Sequence, residues 1–360
     1  MIGRLLVLAA VAVALPACSG DLPDQTTNIP PTITSEPFLT VAAGEQISFT
    51  PSFDDPDGPD TVVTYSNLPS WLSVDGDSLY GVRPAGWRGG EITVVVSDGI
   101  AADTLTLGIR LLPCIVVYGD TRTGHDAHRQ VVEQIIAHNP TTVFHVGDLV
   151  ADGRIASQWD TFNSITRQMR SIAEFYPAVG NHEYMSPLYF EQFILPGNEQ
   201  WYSVNRDYVH FIVLNTCVAT DSASDQFLWL KDDLENVADS IRFIAAVFHH
   251  PPYSTGPHVE DEVHLRETFV PLFEEYGVDI VFTGHDHDYE RSYCGGIYYI
   301  VTGGGGAPLR DQARSHPCSQ LFLKTYHFCR LLVVRDRLMV RINDAEGVLI
   351  DKFDLLRQPE

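Results

Sequence analysis

The chain has 360 residues and carries a formal net charge of −24 at neutral pH. An acidic surface of this strength repels phosphate backbones, so we expect no nucleic-acid partner. The length is sufficient for two domains with sizeable apolar cores.

Residues 1–18 have the features of a targeting segment. Arg4 precedes an apolar stretch at 5–15 that is too short for a transmembrane helix but fits a signal peptide. The ending Leu15-Pro16-Ala17-Cys18 resembles a bacterial lipoprotein signal, in which the cysteine is lipidated and becomes the first mature residue. We therefore expect an exported protein, periplasmic or at the cell surface, that Cys18 anchors to a membrane. Pro16 is unusual in such a signal, so secretion after ordinary cleavage is the alternative.

The next two segments predict a linker and a small β domain. Residues 19–37 are rich in Pro, Thr and Asn, which indicates an extended linker. Over 38–112, short alternating runs are separated by turn residues, and about seven strands in this span predict a β-sandwich. The runs Asn67-Leu68-Pro69-Ser70-Trp71 and Val96-Ser97-Asp98-Gly99 resemble immunoglobulin- or cadherin-like modules of bacterial surface proteins.

One turn of this acidic segment carries three close carboxylates, Asp54, Asp55 and Asp57. Carboxylate oxygens are suitable calcium ligands, so a calcium ion in the amino-terminal domain is one interpretation. The sequence favours the other interpretation, a solvated turn.

Over residues 113–357, apolar runs alternate with amphipathic patterns, which is typical of an α/β domain. Helices are predicted at 126–138, 157–171, 225–237 and 261–276. Antiparallel strands are predicted at 297–302, 326–334, 337–343 and 348–353. The glycine run 303–306 lacks a following Lys-Ser/Thr pair, so it predicts close backbone passage rather than a nucleotide loop.

Five apolar runs in this domain end at residues of metal-ligand type, usually after a glycine. The endings are Gly119-Asp120, Gly147-Asp148, Gly180-Asn181-His182, His249-His250 and Gly284-His285-Asp286-His287. Buried parallel strands read as apolar runs, and open α/β sheets bind ligands beyond the carboxyl ends of their strands. If these strand ends lie at one edge of the sheet, their side chains would form a site of nitrogen and oxygen ligands for two divalent metals.

These endings, with the runs 281–291 and His249-His250-Pro251-Pro252-Tyr253, make residues 115–353 similar to the calcineurin-like metallophosphoesterases. The similarity is to the purple acid phosphatase branch. It implies an α/β (α+β) fold, namely a four-layer αββα sandwich, here preceded by the small all-β immunoglobulin-like sandwich. It also implies a metal-dependent phosphoric ester hydrolase of the acid phosphatase or phosphodiesterase type.

The resemblance further implies a role for each motif residue. Asp148 would bridge two metals, Asp120 and His287 would hold the first, and Asn181, His249 and His285 would hold the second. The ions would be divalent or mixed-valence Fe, Mn or Zn. His182 would approach the leaving group instead of a metal, and His258 lies where the branch places a substrate-contacting histidine.

Such a centre has a clear chemical use. Two cations about 4 Å apart acidify a bridging water and offset phosphoryl charge during in-line attack. We therefore expect hydrolysis of phosphate mono- or diesters by a metal-bridging hydroxide. A histidine that protonates the leaving group adds roughly 100- to 10,000-fold.

The chain departs from the family pattern at two positions near the first metal. Arg122 stands where many relatives carry a histidine, and Ala151 stands where the purple branch supplies a tyrosine. We favour His128 as the replacement ligand; His125, Asp152 and water are the alternatives. Arg122 could pair with a substrate phosphate or form a salt bridge within the protein.

A second functional hypothesis is a surface binding or adhesion protein with a vestigial metallophosphoesterase domain. The acidic β domain and the missing ligand motivate it, whereas the otherwise intact ligand set argues against it. The sequence leaves the oligomeric state open. It also leaves the disulfide pairing open between Cys318–Cys329 and Cys294–Cys318.

Overall fold

The computed structural model of the protein describes residues 28–42, 44–58, 60–258 and 262–357. The predicted signal segment 1–18, with Cys18, lies outside these residues, as does the first part of the predicted linker. In the described ranges, no helix combines the length and the apolarity that crossing a membrane requires.

The amino-terminal region is β-rich, as the sequence predicts. Its strands are β1 (Thr32–Ile33), β2 (Phe38–Val41), β3 (Gln46–Phe49), β4 (Phe53–Asp54), β5 (Val62–Ser66), β6 (Leu72–Asp75), β7 (Ser78–Val82), β8 (Gly90–Ser97) and β9 (Ala102–Leu111). They form sheets of order β2-β9-β8-β5 and β3-β7-β6, and β1 pairs with β4. Ile92, Val94 and Val96 alternate along β8 and are buried in a core with Leu79 and Leu107, because successive side chains of a strand face opposite sides.

The second region is a mixed α/β unit. Its strands are β10 (Cys114–Tyr118), β11 (Thr142–His145), β12 (Glu174–Pro177), β13 (Tyr202–Arg206), β14 (Val209–Val213), β15 (Phe243–Val247), β16 (Ile280–Thr283), β17 (Tyr289–Cys294), β18 (Ile297–Thr302), β19 (Ser319–Leu323), β20 (His327–Val334), β21 (Arg337–Asp344) and β22 (Leu349–Leu356). Its helices are α1 (His125–Ala137), α2 (Ala156–Ile172), α3 (Pro187–Gln192), α4 (Asp225–Glu235) and α5 (Glu262–Tyr276), and a 3₁₀ turn spans Asn181–Glu183.

These strands form two large sheets, of order β12-β11-β10-β20-β21-β22 and β13-β14-β15-β16-β18-β17-β19. The segments β10-β11-β12 and β14-β15-β16-β18 are parallel, and the remaining neighbouring strands of both sheets pair antiparallel. The parallel segments matter for the site, because they align the carboxyl ends of neighbouring strands.

Alternate side chains along each strand pack against different layers of the sandwich. Ile115 and Val117 of β10 pack between the two sheets, whereas Val116 packs with α1 and α2. In β14, Phe211 joins the same central core, whereas Ile212 packs with α4 and α5. The order helices, sheet, sheet, helices is the predicted four-layer αββα sandwich, and that prediction is confirmed.

An aromatic pair joins the two sheets at the centre. Phe144 of β11 stacks on Phe211 of β14, with 4.3 Å between the ring centroids, and both side chains are fully buried. Such a pair contributes about 0.5–1.5 kcal/mol beyond the burial of its area. It therefore fixes the spacing of the sheets near the edge where their parallel strands end.

The amino-terminal region packs directly against the second one. Ala42 lies in one apolar cluster with Cys114, Leu332 and Met339. Arg341, which is almost fully buried, pairs with Glu45 through its Nε at 2.6 Å. The domain boundary predicted at residues 112 and 113 falls between β9 and β10 and stays a prediction.

The local predictions hold with few exceptions. Each of the four predicted helices occurs, with ends displaced by up to two residues. Helix α3 was not predicted; Pro187 occupies its first turn, and Ser186 caps it by accepting from Leu188 N at 3.3 Å. The glycine run provides close backbone passage, since Gly305 N donates to Gly119 O at 2.8 Å.

The structure contains the Cys294–Cys318 disulfide, with 5.5 Å between the Cα atoms. This bond links the end of β17 to the residue before β19. Cys329 is a free, buried cysteine in β20, so the alternative Cys318–Cys329 pairing is wrong.

Candidate metal centre

The candidate ligands meet at one edge of the sandwich. Asp120 and Asp148 follow β10 and β11 of the six-stranded sheet, and His249 and His285 follow β15 and β16 of the seven-stranded sheet. The two groups are in contact across the sheets: His249 Nε2 lies 3.4 Å from Asp148 Oδ1, and His285 N donates to both oxygens of Asp120 at 3.1 Å. Parallel strands of two facing sheets thus deliver their carboxyl ends to a common point.

The backbone is strained at this point. Asp120, Asp148 and His285 adopt positive φ angles of 57°, 57° and 68°. A non-glycine residue in this region costs about 1–3 kcal/mol, and such residues concentrate at functional sites. Gly147 has a φ of 97°, and a Cβ there would lie 2.8 Å from His249 Nδ1. Glycine therefore lets the loop after β11 approach the histidine.

Four lone-pair atoms converge around His249. Its Nε2 lies 2.9 Å from Asn181 Oδ1, 3.4 Å from Asp148 Oδ1 and 3.3 Å from His285 Nδ1. The Val146 carbonyl oxygen accepts from His249 Nδ1 at 2.9 Å, so the proton of a neutral ring is on Nδ1 and Nε2 can only accept. Burial lowers the pKa of His249 well below its usual value and keeps the ring neutral.

This set fits a divalent metal. Its members are oxygen and neutral nitrogen donors, which Zn, Mn and Fe accept, and at least three of them have no proton to offer one another. The separations of the other three atoms from His249 Nε2, 2.9–3.4 Å, match the roughly 3.0–3.4 Å expected between neighbouring ligands that are each about 2.1 Å from a metal. A cation beside His249 Nε2 would satisfy these lone pairs.

A second group lies beside the first. His287 Nε2 is 3.6 Å from Asp120 Oδ1, and its Nδ1 donates to the Pro308 carbonyl at 2.9 Å. Arg122 is also here: its Nε lies 3.4 Å from Asp148 Oδ2, and its Nη2 lies 3.5 Å from His287 Nε2. The structure therefore joins Asp120, His287 and Asp148 as predicted, with a guanidinium among them.

His182 lies beside the Asp148 carboxylate. Its backbone N donates to Asp148 Oδ1 at 3.0 Å, and its Nε2 is 3.8 Å from Asp148 Oδ2. The Ala151 carbonyl accepts from His182 Nδ1 at 2.7 Å, which fixes the ring and directs Nε2 to the cleft. The side chain is 24% exposed, so Nε2 can reach a bound molecule.

His258 is close to the cluster without joining it. Its ring centroid lies 4.1 Å from that of His285, and its Nδ1 is 2.7 Å from the buried Asp286 Oδ1. Arg310 Nη1 lies 2.8 Å from His258 Nε2. His250 pairs with Thr216 Oγ1 through Nδ1 at 2.7 Å.

Comparison with known proteins agrees with this geometry. Residues 115–289 match the family described as calcineurin-like phosphoesterase. This part of the chain is a calcineurin-like phosphoesterase domain.

The relatives of the phosphoesterase domain include purple acid phosphatases. Purple acid phosphatase 15 of Arabidopsis thaliana is 31% identical over 172 residues, which are 41% of this chain and 32% of that protein. The phosphoenolpyruvate phosphatase of Allium cepa is 29% identical over 205 residues, 51% of this chain and 43% of that protein. The chain thus spans less than half the length of these two relatives.

A solved structure shares the fold. The purple acid phosphatase PPD1 from yellow lupin seeds superposes with a TM-score of 0.61 and 17% identity, covering 91% of this chain and 74% of that chain. At this identity the likeness concerns the fold, the mixed α/β sandwich with a β-rich amino-terminal region.

One expected ligand lies elsewhere in the phosphoesterase domain. His128 is fully buried, its Nε2 is 3.4 Å from the Tyr118 hydroxyl, and its ring stacks on Phe162. The helical period explains this position, because His128 shares the buried face of α1 with Val131, Val132 and Ile135. It is a core histidine, and its assignment to the first metal is corrected.

The alternative replacements are no better placed. His125 is exposed at the start of α1. The Asp152 carboxylate is engaged by Arg154, whose Nε and Nη2 donate at 2.8 and 2.7 Å. No hydrogen bond or ion pair joins either residue to Asp120 or His287 in the ranges that the structure describes.

Sequence reasoning missed two residues of the centre, Glu183 and Arg310. Glu183 is fully buried, and its carboxylate accepts from the backbone N of Asp148, Gly180 and Leu149 at 2.9, 2.7 and 2.9 Å. A glutamate three residues after the start of a helical turn is a capping signature, which could have revealed it. Arg310 follows the glycine run, and no local pattern marks it.

The calcium interpretation stays a prediction. The Asp55 carboxyl group lies close to the side chain and the backbone of Asp57. Burial raises the pKa of Asp55, and Asp57 and Asp98 raise it further.

We expect Glu183→Gln to lower the free energy of unfolding by about 1–3 kcal/mol, because an amide nitrogen would face backbone N–H donors that the carboxylate now satisfies. Urea denaturation measures this change. Glu191→Gln, at an exposed position of α3, is the matched control and should leave stability unaltered. Equal stability of both variants would contradict the role given to Glu183.

Proposed function

We propose that this protein is a metal-dependent phosphoesterase that hydrolyses phosphate mono- or diesters. One observation carries the proposal: the lone-pair atoms of Asn181, Asp148 and His285 lie within 2.9–3.4 Å of His249 Nε2 at the common edge of the sheets. The matched family covers these residues, and relatives named as phosphatases favour phosphate esters as the substrate class. The adhesion hypothesis has no comparable structural support.

Some residues of the chain would bind the metal, and others would orient the metal-binding residues. Asp148, Asn181, His249 and His285 would hold a metal, which supplies Lewis acidity that activates water and offsets phosphoryl charge. The Val146 carbonyl keeps His249 in the ligating tautomer. Glu183 fixes the loop that carries Asp148, since its carboxylate accepts from the backbone N of Asp148 and Leu149 there.

Groups around the cleft would act on the substrate. His182 presents Nε2 beside Asp148, where a proton can pass to the leaving-group oxygen. Arg310 and His258 lie together on the other side of His285, where a guanidinium can bind phosphoryl oxygens in a bidentate manner. The cleft thus places cationic groups in a strongly acidic protein, and a phosphate ester would be drawn to them.

We propose further that the protein acts outside the cytoplasm, anchored through Cys18. The apolar segment 5–15 and the Leu15-Pro16-Ala17-Cys18 ending support export and lipidation. The Cys294–Cys318 disulfide also supports an oxidising compartment, because disulfides are rare in reducing ones.

A chelator should abolish hydrolysis of p-nitrophenyl phosphate, and Mn, Zn or Fe should restore it. Asp148→Asn should lower kcat/KM by roughly 100-fold or more, since even residues that only orient metal ligands are worth 10- to 100-fold. The control is Asp126→Asn, whose side chain is fully exposed on α1. Activity that survives complete metal removal would refute the proposal.

The role of His182 predicts a dependence on the leaving group. His182→Ala should lower kcat for an alkyl phosphate by roughly 100- to 10,000-fold, because an alkoxide needs a proton. The loss should be much smaller for p-nitrophenyl phosphate, whose leaving group is stable as an anion. Equal losses on the two substrates would contradict proton donation by His182.

Lipidation predicts a difference between two cysteine variants. In bacterial cells, the full chain should incorporate labelled palmitate and fractionate with membranes, and Cys18→Ser should do neither. Cys217→Ser, which alters a partly buried cysteine outside the disulfide, is the control. A full chain that carries no lipid would refute anchoring and leave ordinary secretion.

A further inference from the structure

Arg122 lies among the atoms that the first metal of the family would use. Its Nε is 3.4 Å from Asp148 Oδ2, and its Nη2 is 3.5 Å from His287 Nε2. His287 Nε2 carries a lone pair, because the ring donates to the Pro308 carbonyl through Nδ1. The guanidinium therefore engages two of the three side chains expected to bind that metal.

A first metal does not fit well beside this guanidinium. Arg122 is charged at every ordinary pH, and its side chain is only 17% exposed. A dication bound by Asp120, Asp148 and His287 would lie a few ångströms from a fixed positive charge with little water between them. His128 cannot complete the ligand set, since it is packed between Tyr118 and Phe162.

A second guanidinium adds to this repulsion. Arg310 Nε lies 3.4 Å from His287 Nδ1, on the other side of the imidazole from Arg122. His287 is thus between two cationic side chains. The buried Asp120 and Asp148 lie near Arg122, and the buried Asp288 lies near Arg310. One dication and Arg122 would carry three positive charges against the two negative charges of Asp120 and Asp148.

The other ligand set is centred on His249. Its Nε2 lies 2.9–3.4 Å from Asn181 Oδ1, Asp148 Oδ1 and His285 Nδ1, whereas the contact of Arg122 with Asp148 is to Oδ2, the other carboxylate oxygen. The two halves of the centre therefore differ: one holds converging lone pairs, and the other holds lone pairs that a guanidinium already engages.

We propose that this protein binds a single metal ion, held by Asp148, Asn181, His249 and His285, and that the Arg122 guanidinium takes the place of the first metal. This inference rests on the proposed phosphoesterase function and specifies its centre. Arg122 would supply a fixed positive charge for a phosphoryl oxygen, and Asp148 would link the guanidinium to the single ion. The two-metal prediction would then not apply to this chain.

Metal counting tests the proposal. The metal-free protein is loaded with Mn²⁺, separated from excess ion by gel filtration, and analysed by mass spectrometry for manganese per chain. We expect one equivalent in the unaltered protein and two in Arg122→His, which restores a histidine two residues after Asp120. Arg167→His, at an exposed position of α2, is the matched control and should retain one equivalent. Two equivalents in the unaltered protein would overturn the proposal.

A pair of ligand variants shows which set holds the ion and does not depend on the folding of Arg122→His. His249→Ala should reduce the count from one equivalent to none, whereas His287→Ala should keep one. The reverse result would overturn the proposal. Electron paramagnetic resonance supplies an independent readout: the unaltered protein should give the spectrum of an isolated Mn²⁺ ion, and the exchange-coupled spectrum of a pair would contradict it.

The two proposals can fail separately. A protein that holds two equivalents and hydrolyses phosphate esters refutes the single-metal centre and retains the phosphoesterase. A protein that holds one equivalent, in the set with His249, and hydrolyses no phosphate ester refutes the phosphoesterase and retains the single ion.

Discussion

The structure depends on keeping mutually repelling groups together inside the protein. Asp120 and Asp148 are both buried, and two like charges 4 Å apart repel by about 4 kcal/mol at the effective dielectric constant near a protein surface. Burial raises the pKa of both carboxyl groups, and Arg122 and the backbone N–H groups of His285 and His182 offset part of this rise by stabilising the carboxylates. A bound cation would offset the remaining repulsion between the two carboxylates. The protein already holds these side chains in the positions that such an ion would need.

Burial of the apolar core of the sandwich offsets the free-energy cost of holding these groups together. Three residues at the edge have left-handed backbones, each costing about 1–3 kcal/mol, and they persist because the strands before them are fully buried. Glu183 fixes the loop after β11 by accepting a hydrogen bond from its backbone, and the Val146 carbonyl fixes His249 by accepting from Nδ1. Rigid neighbours thus define the positions of the ligands to within the tolerance of metal coordination.

Much of this could be read from the sequence. Period-two and helical patterns identified the strands and four helices, and ligand-type residues at strand ends identified the edge, because burial patterns are local. His128 was misplaced because its residue type suggests a ligand, whereas its helical phase puts it in the core. Arg310 and the pairing of Arg122 with His287 depend on loops that meet only in the folded chain, so no local signal reports them.

The contact between the two regions has a practical consequence. Ala42 completes an apolar cluster with Leu332 and Met339, and Glu45 neutralises the nearly buried Arg341. A shortened protein that begins at β10 would expose the apolar side chains of Leu332 and Met339 to water. It would also remove Glu45, one of the carboxylates that pair with the Arg341 guanidinium. Truncation is a common route to a smaller crystallisation target. Here it would expose apolar surface of the phosphoesterase domain and favour aggregation.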